Sequence, residues 1–405
     1  MSDLVSQSVL DPQVQQCPYP YYRALREEAP VRLTPEGTYI VSTYDLIIQV
    51  VHDSKTFSSM SPHGGGLGLH HSEAADGLIE KKGYGRSLPV FVNLDPPDHT
   101  VYRRIVMNAF RPARIRQMEQ SIITTVTDVM DSFADQSEVN VVHDFAIPVQ
   151  IYIIADILGV ARSDFRLFRE WSDAWFVGLA LSVSEEEHLK AAEKIVELQH
   201  YLMARIRERR EKPGDDLISS LVHAEVDGDR LTDAEVAAFF VLLSVAGNDT
   251  TRQTISHTMK ALTDFPDQRA WLLADYDNRI STAVEEFVRW ATPVMTFRRT
   301  AATDFELGGQ TITAGEKVVM FYASGNWDGE AFDHPDRFDL SRSPNPHLGF
   351  GGGGLHFCLG AHVARAQLRA IFAELLRQIP DIQAGEPTYA AGNFVHAVRS
   401  LPCTF

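Results

Sequence analysis

A mainly α-helical fold with small β-sheets is what this sequence predicts, on three observations. Apolar residues recur at three- and four-residue spacings over 116–133, 185–210 and Ala361–Gln378, the period of helices with one buried face. Strand-like stretches are few and short: 38–43 (TYIVST), then Phe305–Leu307 and 310–313 about a Gly308-Gly309 turn, then 317–322. Finally, no internal repeat and no long linker divides the chain. Pro213-Gly214-Asp215-Asp216 reads as a turn between helices, so one domain over residues 1–405 is expected.

Composition narrows the function classes. Lys and Arg number 37 against 54 Asp and Glu, a formal net charge of -17, and 44% of the 405 residues are hydrophobic. Such a chain can bury a large core. Its acidity argues against a protein that grips nucleic acid. Cys17, Cys358 and Cys403 cannot form a disulfide framework and match no zinc spacing, which points to a reducing, cytoplasmic setting. The N-terminal stretch holds no unbroken apolar run, so neither export nor a membrane anchor is expected.

Along the chain, the least regular stretch is 57–94, rich in glycine and without a sustained period. It is expected to be a long loop and a candidate substrate lid. His63, His70 and His71 within it lack Cys or carboxylates at ligand spacing and read as solvated loop histidines. From Leu231 to Pro266 the sequence predicts one long helix. Thr232-x-x-Glu235 forms a capping-box signature at its start, and the run from Val236 to Ala246 is apolar on all sides, as in a buried helix. Gly247-Asn248-Asp249-Thr250-Thr251 then interrupts it with residues that helix propensity would not choose. One account is a threonine bonding back to the preceding turn. The other is a local opening of the helix beside a cavity, with an acid and an alcohol placed to pass protons.

Near the C-terminus, Gly351 to Gly354 lead to His356, Cys358 and Gly360 and then to an amphipathic helix. Glycines allow close backbone approach, and a cysteine at a helix start is favoured as a thiolate. The loop lacks the Lys-Ser/Thr of a phosphate-binding P-loop. The residues themselves leave two readings for Cys358, a nucleophile or a metal ligand.

These residues carry a resemblance. Gly354-x-His356-x-Cys358-x-Gly360 resembles the haem-binding loop of the cytochrome P450 family, with one extra residue between Phe350 and Cys358 relative to the common spacing. Ala246-Gly247-x-Asp249-Thr250 is similar to that family's oxygen-activation motif and Glu286-x-x-Arg289 to its Glu-x-x-Arg pair. His334-Pro335-Asp336-Arg337-Phe338 resembles the segment that supplies a second arginine. The resemblance covers essentially the whole chain and implies the cytochrome P450 fold.

It also implies roles. Cys358 would be the axial thiolate of haem b (protoporphyrin IX iron), with Phe350, Gly360, Ala246 and Gly247 against the cofactor. Asp249 and Thr250 would deliver protons. The haem carboxylates would be held by His99, Arg103, His356 and Arg299, with Arg298 the competing choice to Arg299. Glu286, Arg289 and Arg337 would form a buried structural ion-pair cluster. The basic residues Arg103, Arg104, Arg111, Arg114, Arg116, Arg365 and Arg369 would face an acidic ferredoxin, fed by a ferredoxin reductase from NAD(P)H. The substrate pocket would draw on the 57–94 loop, on 171–181, and on Leu243, Val294, Met295, Phe297, Phe394 and Val395. Those apolar and aromatic walls suit a hydrophobic small molecule, and AGNDTTR and the closing segment are similar to actinobacterial hydroxylases of steroids and methyl-branched lipids. The expected activity is hydroxylation with O2. The alternatives are a smaller aromatic or secondary-metabolite substrate, or a non-catalytic haem-binding protein, against which the Asp249-Thr250 pair argues.

Overall fold

The computed structural model describes residues 3–8, 11, 13–14, 17–35, 37–60, 72–84, 91–107, 112–160, 162–179, 183–214, 216–390, 392 and 394–405, with backbone alone at 112–118, 162, 176 and 178–179. It is 58% helical with small sheets, the expected class. The chain packs as two compact units, Met1–Ser58 with Val126–Ala146 and Thr250–Phe405, and Ser59–Thr125 with Ile147–Asp249.

The first unit contains a five-stranded sheet in the order Val31–Leu33, Thr38–Val41, Lys317–Phe321, Thr296–Ala301 and Phe57–Ser58. Thr38–Val41 runs parallel to Lys317–Phe321, and the other neighbours are antiparallel. Val31, Val41, Phe57, Val318 and Met320 close a core with Ile47, Val50 and Val51 of the helix Tyr44–His52. The Phe305–Leu307 and Gln310–Ile312 hairpin forms about Gly308-Gly309 as expected, with both glycines at positive φ. The strand Thr296–Ala301 was not among the predicted ones. Two adjacent arginines break its apolar alternation, and pairing with Lys317–Phe321 and Phe57–Ser58 fixes it.

The second unit is built mainly of helices, among them Asp98–Met107, Ile147–Leu158, Phe165–Leu179 and Glu185–Glu211. Here the expected 57–94 loop is corrected. Glu73–Lys82 is a helix, capped by the Ser72 hydroxyl accepting from the Ala75 N–H, and Phe91–Asn93 is a 3-10 turn. Ala75 and Ile79, one helical turn apart, bury against Ala192, Ile195 and Val196. That tertiary contact stabilises a segment too short and weakly patterned to read as helix alone. The histidine group at 63, 70 and 71 and the rest of the proposed lid lie outside the described residues.

The stretch Val141–Leu158, a π-helical turn running into Ile147–Leu158, is apolar and long enough to cross a membrane, but 72% of it is buried. Burial of that kind is what a core helix shows.

The long helix spans Asp233–Asp264. Its capping box forms: the Glu235 N–H donates to Thr232 Oγ1, and the Thr232 N–H donates to Glu235 Oε2 at 2.7 Å. The local opening considered at Gly247 is absent, because the helix is α-helical throughout. Hydroxyls are absorbed by back-bonding instead, Ser244 to the Phe240 carbonyl and Thr254 to the Thr250 carbonyl. Gly247 answers to packing: a Cβ there would lie 2.6 Å from Ile154 Cδ1.

Candidate active site

The cysteine loop begins at His347 and ends at the helix Ala361–Gln378. Phe350 is buried, and its carbonyl accepts the Cys358 N–H at 3.0 Å. Phe350 and Cys358 are thus tied by a backbone bond across the intervening glycines. Those glycines, Gly351 to Gly354, are all at positive φ, in a left-handed run that side chains rarely adopt. This run lies against the end of Tyr44–His52: a Cβ on Gly354 would meet the Val51 carbonyl oxygen at 2.7 Å, and His52 Nε2 is 3.2 Å from the Gly352 oxygen. Cys358 itself is exposed, and its carbonyl accepts from the Ala361 N–H at the start of the helix.

Beneath the loop lies a buried charge cluster. Arg289 and Glu286 are both inaccessible and joined by two bonds of 2.8 Å. The second arginine differs from the expected one. Arg342 bonds Glu286 Oε2 at 3.2 Å, whereas the Arg337 side chain is exposed and only its carbonyl joins, accepting from Arg289 and Arg342. Both arginines flank the same turn, and sequence carries no signal for which side chain turns inward. Arg365 has a fixed carboxylate partner: Nε and Nη2 bind Glu285 at 2.6 and 2.7 Å, and its guanidinium lies 4.5 Å from the Phe350 ring centre. His347 Nε2 reaches the same carboxylate at 3.1 Å. Glu285 and His347 were missed in the sequence, where the Glu285-Glu286 doublet was the available hint.

The long helix presents one open face. Between Val236 and Thr251 every residue is buried except Leu243, Ala246, Gly247 and Thr250, which follow i, i+3, i+4, i+7 and share a side. All four had been singled out from sequence. Asp249 is 1% exposed. Beside it, Asn248 donates from Nδ2 to Ser172 Oγ on Phe165–Leu179 at 3.0 Å.

Other candidates assemble within their own units. The Met295 N–H donates to the Phe394 carbonyl at 2.8 Å, Val294 bridges Val395, and the Phe297 and Phe394 rings lie 6.1 Å apart, so five of the six predicted pocket residues meet, and the sixth, Leu243, lies on the long helix. Strand pleating places Phe297 and Arg299 on one face and Arg298 on the other. Arg299 is 5% exposed, with its guanidinium 5.6 Å from the Phe297 ring, and burial lowers the pKa of Arg298. His99 and Arg103 lie one turn apart on Asp98–Met107, His99 buried against Phe91. His356 is half-buried. Of the basic stretch, Arg104 pairs with Asp227 at 2.8 Å, while Arg111 and the side chains of Arg114 and Arg116 lie outside the described residues.

The donor set fits one class of cofactor. Among the described residues no group of three His, Cys, Asp or Glu could hold a metal ion. A metal at Cys358 would therefore have to bring its remaining ligands with it, as a porphyrin iron does, and the exposed Cys358 would be the residue that holds it. Fold and donor together define a haem-thiolate enzyme.

The sequence pattern of the Cytochrome P450 family matches residues 31–379, and the chain belongs to that family. It is 37% identical over 400 residues to the methyl-branched lipid omega-hydroxylase of Mycobacterium tuberculosis, covering 95% of this chain and 90% of the relative. It is 33% identical to a steroid C26-monooxygenase of Rhodococcus jostii, covering 96% and 83%. Among solved structures, the Mycobacterium marinum cytochrome P450 CYP268A2 in complex with pseudoionone is 50% identical, with a TM-score of 0.85 and coverage of 99% and 96%. The protein is thus a bacterial cytochrome P450 monooxygenase with a haem-thiolate cofactor, homologous to lipid and steroid hydroxylases.

Proposed function

We propose that the protein hydroxylates a hydrophobic small molecule, lipid-, steroid- or terpenoid-like, using O2 and electrons passed from NAD(P)H through a ferredoxin reductase and a ferredoxin. The observation that carries this reading is the open face of the long helix, where Leu243 and Ala246 offer small apolar surface in line with a single alcohol, Thr250. An apolar face of that kind favours apolar substrate. The substrates or ligands of the relatives, methyl-branched lipid, steroid and pseudoionone, support the same class.

In this reading the chain works as one functional domain in the cytoplasm and binds haem b. The haem supplies electron transfer and oxygen activation at a thiolate-bound iron. The chain's own residues do the rest. Cys358 donates the sulfur, with its backbone N–H held by Phe350. His99, Arg103, His356 and Arg299 donate to the cofactor's carboxylates, and the face that Arg299 shares with Phe297 favours it over Arg298. Phe350, Gly360, Ala246 and Gly247 pack against the cofactor. Val294, Met295, Phe297, Phe394 and Val395 orient the substrate and exclude water. Thr250 holds a proton at its Oγ on the open face, and Asp249, next in the chain, replenishes it.

The test is a titration of the purified holoprotein with branched lipids, steroids and terpenoids, read as displacement of iron-bound water by the low-to-high spin change. Branched apolar ligands are expected to give the full change. A response confined to small aromatics overturns the substrate class. For the electron donor, turnover with a ferredoxin is expected to fall as ionic strength rises and to weaken in Arg104→Glu; indifference to both overturns the ferredoxin assignment.

A further inference from the structure

We propose that Glu285 is a positioning residue for Cys358, a single carboxylate that clamps both ends of the cysteine loop. The inference rests on the reading of Cys358 as the iron ligand. Glu285 lies on the helix Tyr276–Ala291, outside the loop, and receives one partner from each side of it. His347 precedes the loop and Arg365 follows it, on the first turns of Ala361–Gln378.

The geometry is tight on both arms. Arg365 binds the carboxylate through two parallel bonds of 2.6 and 2.7 Å, the fork arrangement that fixes orientation as well as distance. His347 is held from its other side, because the Gly349 N–H donates to Nδ1 at 3.1 Å. That bond leaves the imidazole proton on Nε2, where it points to Glu285 Oε2 at 3.1 Å. Burial alone would raise the Glu285 pKa, but the bonds from Arg365 and His347 outweigh it and hold the carboxyl at about 2, fully ionised near neutrality.

Arg365 carries the clamp to the sulfur. Its guanidinium covers the Phe350 ring at 4.5 Å, and the Phe350 carbonyl accepts the Cys358 N–H at 3.0 Å. Glu285 thus fixes Arg365, Arg365 fixes Phe350, and Phe350 fixes the backbone of the ligand cysteine. The neighbouring Glu286 differs in kind. It is wholly buried with Arg289, whereas the Glu285 side chain is 26% exposed, so removing its charge leaves a partner that water can still reach. A Glu285 variant is expected to fold.

The experiment compares the unmodified holoprotein with Glu285→Gln, Glu285→Asp and Arg365→Lys. The reduced carbonyl complex is read for the ratio of the blue-shifted to the strongly red-shifted, thiolate-type Soret band, with the haem reduction potential measured alongside. Glu285→Gln and Arg365→Lys are each expected to raise that ratio about tenfold, the size of one lost charge-assisted hydrogen bond. In Glu285→Gln the potential rises, because an uncompensated guanidinium is left beside the loop, and Glu285→Asp recovers part of both effects. A merely structural role would lower the unfolding temperature and leave the band ratio of the folded protein unchanged. Unchanged ratio and potential in both Glu285→Gln and Arg365→Lys overturn the clamp alone. Absence of the red-shifted band in the unmodified protein overturns the Cys358 assignment and the clamp with it.

Discussion

The cysteine loop and the open face of the long helix are built on opposite principles. The loop is fixed by charge and backbone: the Glu285 carboxylate grips Arg365 and His347, Glu286 grips Arg289 and Arg342, and four consecutive left-handed glycines lie against the Tyr44–His52 helix. The helix face has small apolar side chains and one hydroxyl, carried on an uninterrupted ladder whose neighbouring hydroxyls bond inward. Directional, costly interactions hold the loop that carries Cys358. Non-directional surface is left on the helix face. The difference teaches that rigidity is placed at the cysteine loop and tolerance on the helix face.

The comparison can be broken most severely at the buried pair. Arg289→Ala leaves the Glu286 charge inaccessible and without its main partner, and is expected to cost about 3–5 kcal/mol in chemical denaturation, enough to prevent haem retention. Thr250→Ala alters the other region without touching the loop. Product per electron should fall roughly tenfold or more, with hydrogen peroxide appearing, while the thiolate-type band stays as it was; measured coupling decides this.

Next in size, Gly354→Ala places a Cβ 2.7 Å from the Val51 carbonyl in a left-handed backbone, and should cost more than about 1 kcal/mol, seen as a lower denaturation midpoint. The gentlest effect is one of pH. The folded pKa of Glu285 is depressed from 4.5 to about 2, so its contribution is fully present above the unfolded value and is lost as pH falls from about 4.5 toward 2. The stability gap between the unmodified protein and Glu285→Gln should narrow over that window and be constant above it.

Much of the candidate site was legible in the sequence because its signals are local. The helix Ala361–Gln378 has its predicted ends, the capping box at Thr232 and Glu235 forms, and Leu243, Ala246, Gly247 and Thr250 fall on one face because a helix of that period puts them there. The errors are equally specific. Glu73–Lys82 was read as loop because its stability comes from Ala192, Ile195 and Val196, far along the chain. Arg337 is the arginine its motif leads one to expect, yet Arg342 is the one that turns inward, because the direction of a side chain at a turn is set by what surrounds it.

By itself, then, the sequence determined the helical class, the long helix with its polar interruption and the glycine-rich loop that carries Cys358, since period, caps and short motifs act within a few residues. Tertiary structure alone decided which arginine completes the Glu286 cluster, which of Arg298 and Arg299 shares the Phe297 face, and that Arg365 pairs with Glu285. Each of those outcomes depends on strand pairing or on a partner tens of residues away, where burial leaves a charge only the partners that packing supplies.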